Sequence, residues 1–155
     1  MLLRPASPAD LPLLITLLRR SWLATFAADL PFEAVQAFAR EDPARTYVEA
    51  MWPAFTVAEF DGRVAGMCHI IDDLVAAIHV DPAAKRCGIG TALMDRAEAD
   101  ILDRHPAARL EVLSCNGNAR AFYKSRGWLE QRRLQTLECG TSVEAIEMRM
   151  IRRAR

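Results

Sequence analysis

The stretch from Leu74 to Thr91 restricts the fold more than any other part of the chain. Leu74-Val75-Ala76-Ala77-Ile78-His79-Val80 is a near-continuous apolar run, which points to a central strand covered on both faces. Asp81-Pro82 ends it, because proline cannot donate to a strand ladder. A basic turn follows through Lys85 and Arg86, and Gly88-Ile89-Gly90 opens a helix. Ile89, Leu93, Ala97 and Ile101 then recur at helical spacing as far as about Arg104. A covered strand that feeds directly into an amphipathic helix calls for a sheet with helices packed on its faces.

The remaining segments agree with that architecture. Leu2-Leu3-Arg4 reads as a short strand ended by Pro5. Ser7 as N-cap, Pro8 at the first helical position and Asp10 in the first turn start a helix whose apolar face is Leu11, Leu14, Ile15 and Leu18. Trp22 and Phe26 carry it toward Pro31, Phe32 to Arg40 forms a second helix, and Asp42-Pro43 opens a third through Met51. Phe55–Phe60 and Arg63–Ile71 form a hairpin around Asp61-Gly62, a two-residue turn signal. Leu110 to Leu113 is another strand and Asn118 to Ser125 a helix. Trp128 to Glu138 and Val143 to Ile151 close the chain as a hairpin. The expected fold class is α/β (α+β): one domain over residues 1–155, with a mixed, mostly antiparallel sheet of six to seven strands flanked by helices.

Composition removes several classes of function. Twenty Lys+Arg balance twenty Asp+Glu, so nothing favours broad capture of nucleic acid or of an acidic membrane. The densest apolar stretch, Leu11 to Leu18, is about half of the roughly 20 residues a spanning helix needs. Arg4 and Asp10 interrupt the position of a signal-peptide core. Cys68, Cys87, Cys115 and Cys139 form no C-x-x-C pair, and His69, His79 and His105 have no ligand-like partner spacing. The expectation is a cytoplasmic protein with reduced structural thiols and no metal.

The chemistry concentrates in two blocks. In Lys85-Arg86-Cys87-Gly88-Ile89-Gly90-Thr91 the helix start offers unpaired amides and the positive end of its dipole, and the glycines let an anion approach those amides. It is not a dinucleotide fingerprint, since Leu93 stands where the third glycine belongs, and it lacks the Gly-Lys-Ser/Thr of a P-loop. The second block is Asn116-Gly117-Asn118-Ala119-Arg120-Ala121-Phe122-Tyr123, followed by Gly127-Trp128. Asn118 can cap a short helix and Gly127 can supply its left-handed end. Phe122 and Tyr123 point about 100° apart, so one can anchor in the core while the other presents a phenol.

Together these blocks resemble the GNAT superfamily of acyl-CoA-dependent N-acetyltransferases. Its phosphate signature, Arg/Gln-x-x-Gly-x-Gly/Ala after the fourth strand, is matched by Lys85 to Gly90, with Lys85 departing from the usual Arg or Gln. Its later signature is matched by Asn116, Ala119, Phe122, Tyr123, Gly127 and Trp128. The resemblance covers most of the chain from Phe55 onward, and the N-terminal helices fit it more loosely.

The resemblance implies a sheet that splays between its fourth and fifth strands, with the pantetheine arm of acetyl-CoA lying between them. Backbone groups of Ile78, His79 and Val80 would then meet the pantetheine and acyl carbonyl. Lys85, Arg86, Cys87, Gly88, Ile89, Gly90 and Thr91 would hold the diphosphate, and Asn116, Ala119 and Tyr123 would complete the cofactor contacts. Tyr123 is the expected general acid for the departing thiolate. Asp73, beside Asp72 ahead of the fourth strand, lies near where some family members carry a glutamate base, although the pair also reads as a solvated turn and many such enzymes need only ordered water. His79 has a suitable pKa but lies inside a strand that reads as buried, where packing is its first reading. Trp22, Phe26 and Phe32 either line the acceptor pocket or belong to the core. The implied activity is transfer of an acetyl group from acetyl-CoA to a primary amine of a small molecule or peptide by direct attack, and a homodimer is compatible with it. The alternatives are a non-catalytic acyl-CoA-binding sensor of the same fold and an α/β domain for another phosphorylated ligand.

Overall fold

The computed structural model describes residues 1–154. Its strands are β1 (Leu2–Pro5), β2 (Phe55–Phe60), β3 (Arg63–Ile71), β4 (Leu74–Val80), β5 (Ala107–Leu113), β6 (Leu129–Glu138) and β7 (Thr141–Ile151). They form one seven-stranded sheet in the order β1-β2-β3-β4-β5-β7-β6. Every neighbouring pair is antiparallel except β4 and β5. The helices are α1 (Leu11–Phe26), α2 (Phe32–Glu41), α3 (Pro43–Met51), α4 (Ile89–Arg104) and α5 (Gly117–Ser125).

Alternation along the strands sorts the apolar residues onto two faces. On one, Ala58, Cys68, Leu110, Val112, Ile146 and Met148 pack with Ile89, Leu93, Met94 and Ile101 of α4 and with Tyr123 and Trp128. On the other, Val57, Val64, Met67 and Ala145 pack with Leu14, Leu17, Leu18 and Trp22 of α1, Phe38 of α2 and Val48 of α3. Gly66 on β3 is what lets α4 lie so close to the sheet. A Cβ there would stand 2.6 Å from Ile89 Cγ2 and 3.2 Å from the His79 carbonyl oxygen.

The splay between the fourth and fifth strands has a local cause. Parallel pairing of β4 with β5 is confined to Leu74 opposite Arg109 and Val75 opposite Leu110. On the other side of β4 the register with β3 jumps from Val75 opposite Ile70 to Ala77 opposite His69, leaving Ala76 as a bulge. A bulge bends its strand and raises its twist, so β4 turns away from β5 beyond this point. The expectation that β4 is covered on both faces is corrected accordingly: Ala76 is exposed and Ala77 to Val80 are half-buried. The apolar run faces a cleft.

Element starts also differ from the sequence reading: α1 begins at Leu11 after a single 3-10 turn at Pro8–Asp10, and β7 begins at Thr141. β5 begins at Ala107, three residues earlier than the apolar pattern alone marks. α5 is capped by Asn116, not Asn118, its side chain accepting the Ala119 N–H at 3.2 Å. Either asparagine suits a cap, and the one three residues before the receiving amide takes the role. Gly127 does terminate this segment in the left-handed region, at φ 97°. No helix among the described residues is long and apolar enough to cross a membrane.

Candidate active site

Where β4 and β5 part, three connected cavities share Ile78, Ala119 and Tyr123 and so form one cleft. The end at the start of α4, about 890 Å³, is lined by Lys85, Arg86, Gly88, Ile89, Gly90 and Thr91. Gly88 is the N-cap of α4 at φ 76° and Arg86 is also left-handed at φ 62°. The first amide to find a helical acceptor is that of Ala92, on the Gly88 carbonyl. Those of Ile89, Gly90 and Thr91 are left to a ligand or solvent, at the positive end of a sixteen-residue helix. A Cβ on Gly88, which lines this cavity, would meet no protein atom within 4 Å. Lys85 and Arg86 are exposed and make no ion pair among the described residues. Open amides, free space at a glycine and two unmatched cations suit a diphosphate.

Cys87 alone of the expected cradle lies outside this lining, its thiol 3.7 Å from the Lys85 carbonyl oxygen. A middle cavity of about 540 Å³ joins Lys85 to His79, Val80, Asn116 and Tyr123. Beyond Ala76 the β4 edge facing it lacks a β5 partner, so its peptide groups are available to an extended ligand.

Tyr123 sits at the crossing of all three cavities, its ring buried between Phe122 (centroids 5.5 Å apart) and Trp128 (6.2 Å). Burial drives its phenol well above the ordinary tyrosine range, so the hydroxyl keeps its proton at neutral pH. Its position is braced from α4. Glu98 accepts from the Trp128 indole at 2.8 Å and from Arg126 at 2.7 and 2.8 Å, while the Arg126 guanidinium lies over the Phe122 ring.

The third cavity, about 310 Å³, opens toward α1 and the β6–β7 hairpin. His79 lines it with Nδ1 2.9 Å from Ser21 Oγ, and burial lowers the imidazole to about 4, leaving it neutral. Trp22 and Phe26 form an aromatic wall. Phe32 does not join them: it starts α2, is 69% exposed and is absent from the lining. Asp73 is likewise placed elsewhere. Its Oδ1 accepts from Arg109 Nε at 2.9 Å and its carbonyl from the Arg109 amide, at the end where β4 and β5 are still joined. At about 3.3 Å per residue it stands roughly 20 Å from His79. The carboxylates that do line the cavity are Glu111 on β5 and Glu138 on β6. Sequence reasoning missed both, although an acid inside the apolar strand Ala107–Leu113 was a signal for the first.

Comparison with known proteins follows the same lines. Residues 14–128 match the model of the acetyltransferase (GNAT) family. Over 73 residues the chain is 40% identical to peptidyl-lysine N-acetyltransferase YiaC of Escherichia coli (strain K12), a match spanning 46% of this chain and 47% of that protein. It superposes on a GCN5-related N-acetyltransferase from Rhodopseudomonas palustris with a TM-score of 0.80 at 20% identity, covering 97% and 94% of the two chains. The PaiA N-acetyltransferase of Thermoplasma acidophilum in complex with coenzyme A gives 0.72 at 21% identity, covering 97% and 98%.

Proposed function

As a member of the acetyltransferase (GNAT) family this chain is an acyltransferase, and we propose that it carries an acetyl group from acetyl-CoA to a primary amine. The observation that carries this reading is the parting of β4 and β5 at Ala76, which leaves an unpaired strand edge between the amides of α4 and the phenol of Tyr123. The PaiA relative was solved with coenzyme A, and YiaC is a peptidyl-lysine acetyltransferase; both support the chemistry.

Acetyl-CoA supplies a thioester carbonyl open to attack by an amine. The α4 amides with Lys85 and Arg86 hold the diphosphate. Peptide groups of Ile78, His79 and Val80 hold the arm as an added strand, and an N–H there polarises the carbonyl oxygen. The amine nitrogen bonds to the carbonyl carbon, the carbon–sulfur bond breaks, Tyr123 donates its proton to the departing sulfur, and the proton that the nitrogen sheds as it becomes an amide passes through water to restore the phenol. The ammonium must first lose a proton. Of the groups lining the 310 Å³ cavity, His79 is a weak base tied to Ser21 and Glu138 is engaged by Trp22. Glu111, which makes no hydrogen bond or ion pair among the described residues, is the group we assign as acceptor of that proton, directly or through water.

The test is thiol release from acetyl-CoA across a panel of amines, run beside the thermal shift that acetyl-CoA produces. Turnover with at least one amine is expected. Stabilisation by acetyl-CoA with no release from any amine would instead identify a non-catalytic sensor, and no stabilisation would remove both readings.

A further inference from the structure

One carboxylate of the cleft differs from the others on the hairpin that carries it. On the β6–β7 hairpin, Glu130 is matched to Arg120 and Lys124, Glu144 to Arg133, and Glu147 to Arg132. Glu138 is matched to no cation among the described residues. Its Oε1 accepts instead from the Trp22 indole at 2.7 Å, a neutral donor that leaves the negative charge intact. Trp22 is a rigid anchor, 6% exposed and stacked on Phe38 at 3.9 Å between centroids with 3° between planes. One oxygen of a half-buried carboxylate is thus pinned in the wall of the 310 Å³ cavity, and among the described residues no Lys or Arg lines that cavity. A carboxylate drawn from water calls for a positive partner, and an aromatic wall of Trp22 and Phe26 accepts the same partner.

Resting on the acyltransferase reading, we infer that Glu138 receives a second cationic group of the acceptor, so that the substrate is an amine carrying a further positive charge. The reacting nitrogen cannot be that group, because it must be uncharged to attack. A group that stays protonated throughout can hold the Glu138 carboxylate while the first amine loses its proton at Glu111. Glu138 is then the residue that decides acceptor charge, favouring a diamine or a lysine beside another basic group over monoamines and over acceptors with a nearby carboxylate.

The experiment compares cadaverine with pentylamine, and a short lysine peptide bearing an adjacent arginine with one bearing an adjacent glutamate. The dicationic member of each pair is expected to show kcat/KM at least about tenfold higher, through KM, with the preference shrinking as salt is raised. Glu138→Gln keeps an oxygen for the Trp22 indole and removes only charge, so it is expected to bring each pair toward parity while the acetyl-CoA thermal shift persists. Glu138→Asp is expected to retain part of the preference. Equal rates within each pair in the unmodified protein, or a preference undiminished in Glu138→Gln, would overturn the inference and leave acyl transfer standing. Acetyl-CoA binding without thiol release from any acceptor would overturn both.

Discussion

Val75 lies opposite Leu110 in the last parallel pair between β4 and β5, and the next residue, Ala76, is bulged out of register with β3. The bulge and the parting of the strands are therefore one event in the chain. It opens the sheet between the free amides at the start of α4 and the buried phenol of Tyr123, and the cleft depends on that coincidence.

Tyr123→Phe removes the hydroxyl and keeps the ring packed on Trp128. kcat is expected to fall by about a hundredfold or more, with acetyl-CoA affinity little changed. Steady-state kinetics and calorimetry check the two halves. Because burial raises the phenol above its usual value of 10.0, no loss of rate from its ionisation is expected below that pH. An unchanged kcat would remove Tyr123 as the proton donor.

Gly88→Glu places a side chain and a negative charge where the α4 amides face the 890 Å³ cavity. Acetyl-CoA affinity is expected to weaken by about a hundredfold or more, read by calorimetric titration. The left-handed φ of 76° adds a stability loss of about 1 kcal/mol, read by melting. Normal affinity would refute the cradle.

His79 is held neutral by burial, its pKa lowered from 6.5 to about 4. The unfolded chain takes up a proton as pH falls through 6.5 while the folded one does not, so stability is lost between pH 6.5 and 4 and levels off below. The loss is roughly 3 kcal/mol at most. His69, buried beside Tyr47, is shifted in the same direction. Urea titrations across this range are expected to show a shallower slope in His79→Gln than in the unmodified protein.

Asp10 accepts two hydrogen bonds from Arg4, at 2.8 and 3.0 Å, and one from the Ser7 amide at 2.7 Å. The guanidinium lowers its carboxyl to about 2, from 3.8. Its contribution is present above pH 3.8 and is lost as pH falls toward 2. Discounted for the solvent-facing side of Arg4, it is on the order of 1–2 kcal/mol. Asp10→Asn is expected to lower the melting temperature at pH 7 and to remove that acid-range slope.

Much of the site was readable because its signals are local. The strand end at Asp81-Pro82, the two glycines ahead of α4 and the glycine after α5 act on the residues beside them, and each appears where the pattern places it. Trp22, Phe26 and Phe32 show the limit of such reading. All three are aromatics near the end of one helix and the start of the next, yet only the first two line the cavity, because Phe32 falls on the solvent side of α2. Asp73 failed for a similar reason: nearness in sequence to β4 set it at the joined end of the strands, not the open one.

By itself, then, the sequence determined most of the elements, the glycine-flanked start of α4 and the place of Tyr123 on α5, since turns, caps and amphipathic periods arise among neighbouring residues. Only the tertiary structure decided which carboxylates and aromatics share the 310 Å³ cavity. His79, Glu111 and Glu138 come from β4, β5 and β6, and they line one cavity through the register of a seven-stranded sheet and the bulge at Ala76. Such meetings are set by long-range pairing and packing, which no local pattern along the chain records.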